Sequence, residues 1–117
     1  MKEKVLKTKS FKFAVRIINL YKYLCYEKKE FVLSKQVLRS GTSVGAMVRE
    51  AEHSESKRDF IHKMAIAQKE INETLYWLEL LSETEYISTT EFKSINTDAI
   101  EIIKILTSSI KTAKISG

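Results

Sequence analysis

The chain has 117 residues, 44% of them hydrophobic and 30% charged, with no Pro, three Gly and a single Cys. That composition excludes collagen-like, disordered and turn-rich β-sandwich chains and points to one all-α domain over residues 1–117. The net charge of +5 is uneven: eleven Lys or Arg face three acids in residues 1–39, five face nine in residues 40–87, and four face three beyond.

The first nine residues are lysine-rich and hold few apolar residues, so they are expected to form a basic, poorly ordered leader. From there Phe11, Ala14, Ile17, Ile18, Tyr21, Leu24 and Cys25 recur at the i, i+3, i+4, i+7 spacing of an amphipathic helix, predicted over Ser10–Lys28. Within this stripe Cys25 reads as a buried thiol. A lone cysteine excludes an internal disulfide and a Cys-based zinc site, and it suits a reducing, cytoplasmic setting. A second helix follows from Leu33, Val37, Gly41, Val44, Val48 and Ala51 and ends near His53. Gly41 and Gly45, beside Ser40 and Ala46, each forfeit about 1 kcal/mol of helix propensity relative to Ala, so close approach by a neighbouring helix is the expected compensation. Arg39, Arg49 and Glu50 lie too near these glycines for a membrane interior. Neither a signal peptide nor an apolar run of about 20 residues is visible.

Ser56-Lys57-Arg58-Asp59 has the spacing of a capping box and opens a third helix that runs to about Leu81, with Phe60, Met64, Ala67, Ile71, Leu75 and Leu78 on one stripe. Ser88-Thr89-Thr90-Glu91 repeats the signal for a fourth, whose stripe is Phe92, Ile95, Ala99, Ile102, Ile103, Leu106 and Ile110. Four stripes joined by short connections predict an antiparallel up-and-down four-helix bundle.

Two surfaces remain once that core is filled. On the third helix Ile66, Glu70, Glu73, Trp77 and Leu80 form a second line, about 90–120° from the core stripe. On the second helix Gln36, Arg39, Ser43 and Glu50 form a polar one. If the lines meet, Arg39 and nearby lysines answer Glu50, Glu70 and Glu73, and Trp77 is covered by another copy of the chain, since Trp and Arg are enriched at interface centres. The alternative is a Trp half-buried against its own bundle. The first helix carries Lys12, Arg16, Asn19, Lys22, Tyr23 and Tyr26 on its outer side, with Lys9 at the edge. Basic residues interleaved with aromatics can grip a phosphate backbone and stack bases, so Lys9, Lys12, Arg16, Lys22, Tyr23 and Tyr26 are the candidate nucleic-acid interface; a plain solvated face is the alternative.

Tests for chemistry give neither catalytic, cofactor-binding nor metal-ligating residues. His53, Asp59 and His62 flank the turn between helices two and three, whereas di-iron ligands project into the bundle centre. Glu70 and Glu73 lack a nucleophile or an oxyanion donor, and Ser40, Ser43 and His62 lack a third triad member. The expected protein is not an enzyme and needs no cofactor.

The run Lys35-Gln36-Val37-Leu38-Arg39-Ser40-Gly41-Thr42-Ser43-Val44-Gly45-Ala46 is followed by Glu50-Ala51, Ser56-Lys57, Asp59-Phe60-Ile61, Lys63-Met64, Ile66-Ala67, Lys69-Glu70, Glu73-Thr74 and Tyr76-Trp77-Leu78. Over residues 10–87 this order resembles the bacterial four-helix-bundle family whose founding members are encoded in intervening sequences of large-subunit ribosomal RNA genes. The resemblance implies a homopentamer, similar to the accessory protein of diversity-generating retroelements, which binds nucleic acid through a basic surface. It implies no catalytic activity; no membrane partner is expected, because no apolar run is long enough to cross a bilayer. Where that family usually carries Asn after Gly-Ala, this chain has Met47, which removes an amide from the polar line. Two expectations follow: an oligomeric protein that binds RNA or DNA, or a homo-oligomeric scaffold whose basic end keeps it in solution.

Overall fold

Serine caps set the starts of the two C-terminal helices. Ser56 Oγ accepts a hydrogen bond from the Asp59 amide and Ser88 Oγ from the Glu91 amide, both at 3.0 Å. The first box is not fully reciprocal, because the Asp59 carboxylate accepts from the Glu55 amide at 3.4 Å. The computed structural model describes residues 1–116. It holds α1 (Lys2–Tyr26), α2 (Leu33–Glu52), α3 (Lys57–Glu83) and α4 (Thr89–Ile115), an up-and-down four-helix bundle as predicted. Each helix packs on two neighbours, in the cyclic order α1, α2, α3, α4, and the Cα atoms of the diagonal pairs stay more than 8 Å apart.

The start of α2 uses a cap that the sequence did not reveal. Glu30 lies three residues before the helix and is 9% exposed. Its carboxylate accepts from the amides of Val32, Leu33 and Ser34 at 3.3, 3.0 and 2.7 Å, and Ser34 Oγ donates to the Glu30 carbonyl at 2.8 Å. One acid thereby satisfies three amides at the positive end of a helix dipole. Lys29 and Glu85, in the turns at this same end of the bundle, adopt left-handed backbone with φ of 55° and 65°.

The largest departure from expectation is α1. It begins at Lys2, so the lysine-rich leader is helical, and it is anchored by Leu6, which is fully buried. Its buried line is Leu6, Ser10, Phe13, Ile17, Leu20 and Leu24. Phe11 and Ile18, placed in the core by periodicity, are exposed, and Cys25 is half-buried, with Sγ 3.7 Å from Ser34 Oγ. The reason is physical: α1 has apolar residues on nearly every side, and burial of Leu6 and Phe13 fixes a rotation that spacing alone leaves free.

The glycines do allow close approach by a neighbouring helix. A Cβ on Gly41 would stand 2.8 Å from both γ carbons of Ile17, while one on Gly45 would lie 3.4 Å from the Ser10 carbonyl oxygen. Between α2 and α3 the buried hydroxyls of Thr74 and Ser40 meet at 2.9 Å, Thr74 Oγ1 donating to Ser40 Oγ and Ser40 Oγ donating in turn to the Gln36 carbonyl of its own helix. Among the described residues no helix is long and apolar enough to cross a membrane.

Candidate functional site

Rotation of α1 divides the predicted nucleic-acid interface. Lys9 and Arg16 turn toward α4, where Lys9 pairs with Glu101 at 3.0 Å and Arg16 with Asp98 at 2.9 Å. Arg16 also donates to Ser94 Oγ at 2.7 Å. Lys12 borders the same groove beside Asp98 and Glu101. Lys22, Tyr23 and Tyr26 are exposed beyond it, with the Lys28 ammonium 6.0 Å from the Tyr23 ring centre. Two of the six candidates are therefore neutralised within the bundle, and the other four stay on the surface.

Facing solvent on α1 instead are Phe11, Val15 and Ile18, 54%, 44% and 38% exposed. They follow at i, i+4 and i+7 and continue to Lys22, a single outer line. Arg49 of α2 stacks over the Phe11 ring at 5.5 Å and shields part of it. Sequence reading missed this patch because it assigned Phe11 and Ile18 to the core.

On the second candidate surface the polar lines of α2 and α3 meet, and Trp77 lies half-buried against its own bundle. Arg39 pairs with Glu70 at 3.1 Å and with Glu73, and it also donates to Gln36. Trp77 Nε1 donates to Glu73 Oε2 at 3.1 Å while the ring packs against the core and tilts over Tyr76, centroids 5.2 Å apart. Ile66 and Leu80 are half-buried along the same line. Glu50 does not join Arg39; it lies 3.8 Å from Lys63, which also meets Asp59 at 3.6 Å. Met47 is half-buried and packed against the core. His53 and His62 are exposed near the turn between α2 and α3, and among the described residues no three His, Cys, Asp or Glu side chains converge as a metal ion requires.

Residues 2–108, from the first turn of α1 into the last third of α4, match the family described as 23S rRNA-intervening sequence protein. The chain belongs to this family. Its fold is shared with a solved structure from Bacteroides thetaiotaomicron VPI-5482, described as a protein of unknown function from the S23 ribosomal protein family. That structure is 62% identical, with a TM-score of 0.94 over 95% of this chain and 99% of the other. No curated protein matches the chain. The intervening-sequence match extends the resemblance beyond residues 10–87, and it takes in the N-terminal lysines that the fold places in α1.

Proposed function

We propose that this member of the intervening-sequence family is a non-enzymatic, homo-oligomeric accessory protein of the cytoplasm that binds RNA or DNA through phosphate contacts. The observation that carries the reading is the surplus of free cations. Ion pairs engage only Lys7, Lys9, Arg16, Arg39 and Lys63 of the twenty Lys and Arg side chains, leaving fifteen without an acidic partner among the described residues. Each phosphate such a cation neutralises releases a counterion, which favours association at low salt. Lys12, Lys22, Tyr23 and Tyr26 are the α1 residues placed to contribute.

The oligomer, a pentamer by family resemblance, draws support from two unlike faces. The α1 face is apolar, through Phe11, Val15 and Ile18; the α3 face is aromatic, through Tyr76 and Trp77, with Leu80. Unlike faces that complement one another make head-to-tail contacts, and these close into a ring when the rotation allows. The same α1 patch favours a second reading, a homo-oligomeric scaffold with no nucleic-acid role. Mobility-shift titration of the full chain with single- and double-stranded RNA and DNA decides between them. Retention at low salt that weakens steeply with added salt supports nucleic-acid binding, and its absence at low salt leaves the scaffold.

A further inference from the structure

The three acids of the fourth segment, Glu91, Asp98 and Glu101, all lie on the side of α4 that faces α1, where Asp98 and Glu101 are consumed by Arg16 and Lys9. The opposite, outer face then carries a single sign of charge. Lys93, Thr97, Ile100, Lys104, Thr107 and Lys111 fall within about an 80° arc, centred about 150° from the buried line of Ile95, Ala99, Ile102 and Leu106. All six are exposed. None of the three lysines forms an ion pair among the described residues. From Lys93 to Lys111 the row is straight and about 27 Å long.

We propose that this acid-free lysine row on the outer face of α4 is the track that holds the nucleic-acid phosphate backbone. The proposal rests on the nucleic-acid reading above and moves its centre away from α1. Composition separates the two faces. Protein interfaces bury apolar groups and favour Arg, which describes Phe11, Val15 and Ile18 of α1 with Arg49 over the Phe11 ring. Phosphate backbones are held by Lys and by hydroxyl donors, which describes Lys93, Lys104 and Lys111 with Thr107, whose Oγ1 accepts from Gln68 Nε2 at 2.9 Å and keeps its own hydrogen, whereas Thr97 donates to the Lys93 carbonyl. Ile100, 38% exposed, is the one apolar residue in the row, too little for insertion into a lipid surface. Because α1 and α3 sit diagonally across the bundle, contacts through those two helices leave α4 uncovered.

The test compares the wild type with the triple variant Lys93→Glu, Lys104→Glu, Lys111→Glu. A control reverses Lys28, Lys35 and Lys69, three exposed lysines elsewhere, for the same change in net charge. Binding to duplex DNA is measured between about 50 and about 200 mM salt, where three phosphate contacts account for a factor of about 40 in affinity. The α4 variant should lose at least about 40-fold at the lower salt, and its log-log salt slope should become shallower by about 2.7. The control should stay within about 5-fold of wild type, since charges beyond a Debye length are largely screened. Helicity and oligomer size check that the α4 variant is folded; if it is not, the Lys→Gln version of the same three positions is read instead. An α4 variant that binds with the wild-type slope, or a greater loss on reversing Lys12 and Lys22 of α1, overturns the assignment and leaves nucleic-acid binding standing. Failure of the wild type to bind at low salt overturns both.

Discussion

Replacing Gly41 by Ala adds one methyl group to α2, and helix propensity alone predicts a gain of about 1 kcal/mol. The packing predicts the reverse. The new carbon would stand 2.8 Å from Ile17 Cγ1 and Cγ2 and 3.2 Å from its Cβ, so α1 must retreat by about 0.7 Å to restore carbon contacts near 3.5 Å. Ile17 is β-branched and held to one strongly preferred χ1 in a helix, so rotation cannot relieve the clash. Overpacking of this kind costs about 1–3 kcal/mol, which leaves Gly41→Ala destabilised by about 1 kcal/mol net. Gly45→Ala is the internal control. Its methyl group meets the Ser10 carbonyl oxygen at 3.4 Å, an ordinary contact, and should keep most of the propensity gain. The two substitutions, identical in chemistry and one helical turn apart, should therefore differ by roughly 2 kcal/mol. For a chain of this size that is a difference of about 8 °C in Tm by calorimetry or thermal circular dichroism. Coupling to Ile17 is checked by a double-mutant cycle, in which Ile17→Ala should cost less in the Gly41→Ala background than in wild type. Equal stabilisation by both glycine substitutions would refute the reasoning.

Three further outcomes follow from the contacts described. Glu30→Ala frees the amides at the start of α2 and should cost about 1–2 kcal/mol in urea unfolding, with no change in oligomer size; an effect below about 0.3 kcal/mol would mean that water replaces the carboxylate without loss. Arg16→Ala removes a partly exposed pair with Asp98 and should change stability by less than about 1 kcal/mol, so a larger loss in the same assay would show that the contact is better shielded than its exposure indicates. Trp77→Ala should weaken the proposed assembly by at least about 1 kcal/mol per interface, read as dissociation in light scattering; a wild type that already runs at 13.5 kDa at micromolar concentration removes the oligomer from consideration.

Where local chemistry is explicit, the sequence reads well. Ser56 with Asp59 and Ser88 with Glu91 place the starts of α3 and α4, and the Leu33 to Ala51 stripe gives α2 to within a residue at each end. On α1 the same method fails because Phe11, Val15 and Ile18 outside compete with Phe13, Ile17 and Leu20 inside, and only the three-dimensional fit of Leu6 and Phe13 selects the rotation. Glu30 escapes notice because it acts from three residues ahead of its helix, outside the usual cap position. The pairing of Arg39 with Glu70 and Glu73 was legible from two helical wheels. The charge on α4 was not: a segment total of four bases against three acids conceals that every acid turns one way and three lysines the other.

The joint between α1 and α4 also bears on how the bundle comes together. Lys2 with Ser108, Lys9 with Glu101 and Arg16 with Asp98 join residues 106, 92 and 82 positions apart. The other three helix pairs are hairpins of adjacent segments and can form with little loop entropy. Bringing the first helix against the last is thus the step with the greatest entropic barrier, and the partly exposed charges along that joint repay only part of it. Such a joint is expected to close last during folding and to open first under native conditions, which hydrogen exchange along α1 and α4 would test. Raising ionic strength should accelerate that opening, while the hairpin between α2 and α3, held by the buried Ser40 and Thr74 hydroxyls, stays shut.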